Sequence, residues 1–149
     1  MKNQLIFGDN LDVLKSKIIS DEGIDLIYLD PPFNSKKTYN IIYKSPSNSK
    51  SKNTQVEAFS DTWSWGDDDE QVLSELGNLE DKKIYNILQS FRFFMGDSDM
   101  MAYLTNMAIR IHFLKKKLKD SGSIFLHCDT TASHYLKIIL DNIFGNHIL

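Results

Sequence analysis

Ile24-Asp25-Leu26-Ile27-Tyr28-Leu29-Asp30-Pro31-Pro32-Phe33 is the stretch on which the fold turns. Its first six residues are almost wholly apolar and rich in strand formers, and the run stops abruptly at Asp30-Pro31-Pro32. A strand of that composition is expected to be buried on both faces, as at the centre of a parallel sheet. Upstream, Leu5-Ile6-Phe7 is a short apolar run stopped by Gly8-Asp9-Asn10, after which Leu11, Leu14 and Ile18 recur at helical spacing. The pattern predicts a strand, then a helix capped by Asn10 and ending near Gly23, then the second strand. Strand, helix and strand within about thirty residues make a β–α–β unit, whose crossover should be right-handed.

Downstream the character changes. Residues 34–56 are polar and carry five lysines (Lys36, Lys37, Lys44, Lys50 and Lys52) with no acid, whereas residues 57–81 carry nine acids and no lysine or arginine. The segment of about 34–81 therefore looks like a mobile insertion with a basic and an acidic half. Within and beyond it, Val72, Leu73, Leu76 and Leu79, and then Ile84, Ile87, Leu88, Phe91 and Met95, keep helical spacing on either side of Asp81-Lys82. These are two amphipathic helices, with Phe91, Phe93 and Phe94 expected in the core. Asp97-Ser98-Asp99 caps a longer helix, lined on one face by Leu104, Met107, Ala108, Ile111, Leu114 and Leu118, that should stop at Lys119 and Ser121-Gly122. Lys115, Lys116, Lys117 and Lys119 crowd its last turn, where the helix dipole favours cations. Ser123 to Cys128 reads as a strand, and Thr130 or Thr131 as the cap of a final helix that turns Tyr135, Leu136, Ile139, Leu140 and Ile143 inward and ends at Gly145.

Composition narrows the class. The chain has 149 residues, 42% of them hydrophobic and 25% charged, a net charge of −3 and a single cysteine. That is one globular domain, neither disordered nor a disulfide scaffold. No stretch approaches the roughly 18 apolar residues of a membrane span, and the first residues lack the apolar run of a signal peptide. The expectation is a cytoplasmic protein with no membrane partner. Mild acidity alone argues against a nucleic-acid partner, but it conceals the basic 34–56 segment.

Leu29-Asp30-Pro31-Pro32-Phe33 is where chemistry is expected, because ligands in open α/β sheets bind at the carboxyl ends of the strands. Two consecutive prolines remove two backbone donors and stiffen the turn, which keeps its carbonyls available as acceptors. A carboxylate beside a fixed carbonyl, with an aromatic ring close by, can grip a planar amino group: the acceptors take its two hydrogens and the ring stacks on the heterocycle. The plainer alternative is a rigid turn whose Asp30 bonds the local backbone.

Asp30-Pro31-Pro32-Phe33 resembles the catalytic motif of the amino-group DNA methyltransferases that use S-adenosylmethionine. The wider match includes Gly8-Asp9-Asn10, Ile24 to Ser35, Glu57-Ala58-Phe59-Ser60-Asp61-Thr62-Trp63, Met100 to Leu104, Gly122 to Asp129, Ala132 to Lys137 and Ile143-Phe144-Gly145. Together these segments are similar to the site-specific adenine-N6 methyltransferases of the permuted β class, which include modification methylases of restriction-modification systems. The resemblance implies an α/β, Rossmann-like S-adenosylmethionine-dependent core with a mainly parallel sheet. It implies that Asp30, Pro31, Pro32 and Phe33 are catalytic, that Asp9 and Asp30 bind the cofactor, and that Lys36 and Lys37 lie by the DNA. Taken alone, Asp9 is equally an acid favoured at a helix N-terminus. An Asp in the first motif position points to adenine over cytosine.

The departure is at the C-terminus. The family's Phe-x-Gly-x-Gly cofactor loop and its target-recognition region follow everything seen here, and no two glycines of this chain are spaced by two. The 149 residues thus read as the catalytic part of a longer enzyme. Alone they should bind S-adenosylmethionine weakly, be inactive and self-associate through exposed apolar surface. Partners implied are DNA and a restriction subunit. The rival readings are an amino-methyltransferase acting on RNA or cytosine, and a catalytically silent fragment for DNA docking or assembly. His127, Cys128, Asp129 and His134 lack metal-ligand spacing, so no metal is expected; His127 and Asp129 should line the cleft or cap the helix. Trp63 and Trp65 are assigned to the core.

Overall fold

A helix with apolar residues on several sides has to be surrounded, and the longest helix among the described residues is of this kind over its first half. The computed structural model describes residues 3–32, 38–42, 55–60 and 63–145, with only the backbone for 38–42 and 55–60. Its elements in order are α1 (Asn10–Lys15), β1 (Ile24–Leu29), β2 (Thr38–Ile42), β3 (Gln55–Ser60), α2 (Asp67–Gly77), α3 (Lys83–Met95), α4 (Asp99–Lys117), β4 (Leu118–Leu126) and α5 (Ser133–Phe144). Met101 to Thr105 are buried in succession along α4, which packs against α1, α2, α3 and α5. Leu73 and Leu76 of α2, Leu88 and Phe91 of α3, and Leu136 and Ile139 of α5 close around it as one apolar core. The Ser98 hydroxyl caps α4 by accepting from the Met101 N–H at 3.2 Å. No helix of the described residues is long and apolar enough to cross a membrane.

The chain is α/β, with a parallel pair β1–β4 and an antiparallel pair β2–β3. β1 aligns Ile27 with Ile124 and Tyr28 with Phe125. One face of this pair meets the helices: Ile27 is buried, and Leu126 and Cys128 pack on the core. Leu26, Tyr28 and Phe125 on the other face remain 60, 65 and 56% exposed. This corrects the expectation of a strand buried on both faces. Side chains alternate along a strand, and the helices cover only one of the two sets.

Several other expectations change. Leu5 to Phe7 form no strand, and Leu5 and Phe7 are fully exposed. A strand needs a neighbour for its backbone groups, and among the described residues β1 pairs only with β4. The helix after it starts from Asp9, one residue earlier than expected for the cap, and stops at Lys15 instead of near Gly23. Ser16 ends it by donating its hydroxyl to the Val13 carbonyl and accepting from the Ile18 N–H. The polar segment after Pro32 is not all loop, since it carries β2 and β3. β4 begins at Leu118, with an irregular register opposite Ile24–Leu26. A Cβ on Gly122 would lie 2.6 Å from the Leu118 side chain, which is why a glycine suits this excursion.

The lysines at the end of α4 have separate structural partners. Lys115 donates to the Ile143 carbonyl, Lys116 lies over the Phe113 ring, Lys117 is buried against Asp21, and Lys119, already in β4, pairs with Asp25. Of the phenylalanine cluster only Phe91 is buried; Phe93 and Phe94 lie off the stripe defined by Ile84, Leu88 and Phe91 and are exposed. α5 starts after Ala132, because Asp129 holds the N–H and hydroxyl of Thr131 in the preceding turn.

Candidate active site

An open cleft of about 620 Å³ lies at the carboxyl end of β1. Its walls come from three parts of the chain: Gly8-Asp9-Asn10 before α1, Tyr28 to Pro32 at the end of β1, and Asn106, Met107, Arg110, Ile111 and Leu114 on α4, with Trp63 alongside. Asp9, Asp30, Pro31 and Pro32, single-file markers in the sequence, are thus brought to one cavity. Phe33, Lys36 and Lys37 lie outside the described residues.

The Leu29 carbonyl still belongs to the sheet, accepting from the His127 N–H at 2.8 Å. Beyond it the ladder ends. Among the described residues neither the exposed Asp30 carboxylate nor the Pro31 carbonyl accepts a hydrogen bond. The nitrogens of Pro31 and Pro32 carry no hydrogen to donate to them, and both residues line the cleft.

Asp9 behaves differently. Its carboxylate caps α1, accepting from the Leu11 N–H at 2.7 Å, and pairs with Arg110 at 3.1 Å. Such a half-exposed pair adds at most about 1 kcal/mol to stability, so its effect on geometry outweighs its energy. Arg110 also donates to the Asn10 side chain and to the carbonyl and amide oxygen of Asn106. Asn106 in turn donates to Asp69 at 2.6 Å, and buried Asp69 accepts from the Gly66 N–H at the start of α2. The sequence reading missed Arg110, Asn106 and Asp69. The available signal was Asn106 and Arg110 one turn apart among the apolar residues Met107, Ala108, Ile109 and Ile111.

Trp63 packs edge-on against Tyr103, with ring centroids 5.4 Å apart, and borders the cleft at the same time. Trp65 lies beneath Arg92 and donates to Glu70. Asp129 is occupied by Thr131 and, like His127, is absent from the cleft wall. Burial, and then the neighbouring Asp129, push the Cys128 thiol above its ordinary value, which makes it a poor ligand or nucleophile. Among the described residues no three His, Cys, Asp or Glu side chains gather as a metal site would require.

Against known proteins, the profile of the DNA methylase family matches residues 24–149. The chain belongs to this family. The EcoPI Mod subunit, a type III restriction-modification enzyme subunit of Escherichia phage P1, is 30% identical over 148 residues, 97% of this chain and 19% of that subunit. The EcoP15I Mod subunit of Escherichia coli is 29% identical over 150 residues, and the StyLTI Mod subunit of Salmonella typhimurium 28% over 144. The chain spans about a fifth of the length of these relatives. Asp30, Pro31 and Pro32 fall inside the DNA methylase match, as do Asn106 and Arg110, whereas Asp9 lies before it.

Proposed function

We propose that this chain carries the catalytic carboxylate of a site-specific DNA methyltransferase that transfers a methyl group from S-adenosylmethionine to the exocyclic amino group of adenine. The observation that carries this reading is the placement of Asp30 and Pro31 on the wall of one cleft with Asp9, with no hydrogen bond to the Asp30 carboxylate or the Pro31 carbonyl among the described residues. The fold behind it is read as a Rossmann-like core to which the parallel β1–β4 pair belongs.

The cleft suits the cofactor chemically. Asp9 and Asp30 can accept from nucleoside hydroxyls or amino groups, and Met107, Ile111 and Leu114 supply apolar walls. S-adenosylmethionine supplies an electrophilic methyl group when bound. The chain's own contribution is positioning. Asp30 and the Pro31 carbonyl accept the two amino hydrogens of an adenine flipped from the duplex, and Phe33 stacks on the base. Those two bonds draw the nitrogen lone pair out of conjugation and aim it, so the rate comes from orientation and electrostatics without a covalent enzyme intermediate. Lys36 and Lys37 contact DNA phosphates, and a restriction subunit is the protein partner. With only Asp9 and Asp30 reaching for the nucleoside, these residues on their own hold the cofactor weakly.

Asp30→Ala tests the assignment in the whole protein. Methyl transfer to DNA should be abolished while the far-ultraviolet circular dichroism and melting temperature stay unchanged, because the Asp30 side chain is exposed and makes no hydrogen bond among the described residues. Retention of more than about a tenth of the turnover, or about 1.4 kcal/mol of barrier, refutes the role.

A further inference from the structure

We infer that Arg110 is a positioning residue for the cofactor end of the cleft and acts through Asp9, an inference that rests on the methyltransferase reading above. A carboxylate offers about four acceptor positions. On Asp9 the Leu11 N–H occupies one, at 2.7 Å on Oδ1, and Nη2 of Arg110 bridges both oxygens at 3.3 and 3.1 Å. Oδ2 keeps acceptor capacity, and the side chain is 54% exposed on the cleft wall. Two donors from different elements, the first turn of α1 and the middle of α4, leave the carboxylate little freedom to rotate. It is oriented without being used up, and what it can take is a hydrogen-bond donor such as a ribose hydroxyl or a purine amino group.

Arg110 itself is held by the protein at every nitrogen. Nε donates to Asn10, Nη1 to the two oxygens of Asn106, and Nη2 to Asp9, so every guanidinium nitrogen has a protein acceptor. Those bonds fix the plane of the guanidinium and with it the point from which Nη2 meets Asp9. Its place is set from behind by Asn106, which donates to Asp69, a residue 6% exposed whose other oxygen accepts from Gly66. A run of bonds therefore leads from the start of α2, across α4, to the open oxygen of Asp9. Lysine could not replace arginine here, because a point charge lacks the planar fork that meets three acceptors at once.

The test is a double-mutant cycle on the whole protein, with S-adenosylmethionine as probe and ligand-observed NMR as the readout, since this reads weak binding. Asp9→Ser keeps an oxygen to cap α1 and removes the carboxylate. Arg110→Met should raise the dissociation constant about tenfold in the native background and less than about twofold in Asp9→Ser, because coupled residues are not additive. Equal weakening in both backgrounds overturns the inference, for Arg110 would then act independently of Asp9. No weakening in the native background overturns it as well. Should Arg110→Met fail to fold, the same cycle with Arg110→Lys decides. Absence of saturable binding by the unsubstituted protein overturns the methyltransferase reading and this role with it, whereas saturable binding with an additive cycle overturns the role of Arg110 alone.

Discussion

His112 is half-buried on α4, and its Nε2 is enclosed with no hydrogen-bond partner among the described residues. Burial, followed by Lys116 and Lys115, pushes its pKa below the usual 6.5, and Glu75 and Asp81 oppose the shift only in part. The unfolded chain therefore takes up this proton first as the pH falls. Stability contributed by the neutral ring is complete above pH 6.5 and declines as the pH drops through 6.5 towards the folded value. The melting temperature should fall between about pH 7.5 and 5.5, and His112→Gln should flatten that slope. A slope that persists in the variant would mean another group titrates. The carboxylates around Arg92 act in a different window. Hydrogen bonds from Arg92 hold Glu70 and Asp97 below their ordinary 4.5 and 3.8, so what they contribute is lost only at lower pH. Lys36 and Lys37 belong to the same scale, and there the expectation is purely electrostatic. Each neutralised phosphate releases counterions, so replacing both lysines by alanine should weaken DNA binding and reduce the slope of log K against log salt by about 0.9 for every phosphate left without its lysine. An unchanged slope would leave them as solvated surface. Asp30, Pro31 and Pro32 were legible in the sequence because they are consecutive and end an apolar run. Arg110 was not, because its partner Asp9 is 101 residues away.

At the scale of elements, the sequence pattern carried β1 and the longer helices, and failed at the end of α1, at Leu5 to Phe7 and at the start of β4. The apolar stripes of α2, α3, α4 and α5 were readable because each helix forms its own backbone bonds and needs only one face buried. Strands depend on a neighbour that local sequence does not name. Leu5 to Phe7 has strand composition and no partner among the described residues, whereas Leu118 to Asp120, read as a helix end, is drawn into β4 by pairing with Ile24. The caps divide similarly. Ser98 is legible as a cap and binds the Met101 N–H, so Ser98→Ala should destabilise the protein by about 1 kcal/mol in chemical denaturation, with the m-value unchanged. A loss below about 0.3 kcal/mol would show that the flanking Asp97 and Asp99 carry the helix start through the dipole instead. Thr130 and Thr131 do not cap α5, because Asp129 holds Thr131 in the turn before it.

At the scale of the whole molecule, the helices and the sheet are unequally served. α4 is enclosed by four helices, while the β1–β4 pair has apolar side chains on two faces and cover on one. β1 is apolar on both sides for a reason that the helical face does not explain, since Leu26 and Tyr28 contribute nothing to the core. Tyr28 and Phe125 are register partners on adjacent strands, and with Leu26 they form a continuous apolar patch, each more than half exposed. Water opposes such a patch in proportion to its area, at about 25 cal/mol per Å². A second copy can satisfy it face to face, as stacked sheets do. The 149-residue chain should therefore self-associate, with a sedimentation coefficient that rises across the micromolar range. Tyr28→Ser combined with Phe125→Ser should return it to a monomer without loss of helical content, since neither ring touches the helical core. A native chain that stays monomeric throughout that range, or a double variant that associates as strongly as the native chain, would show that this face is not the surface through which copies meet.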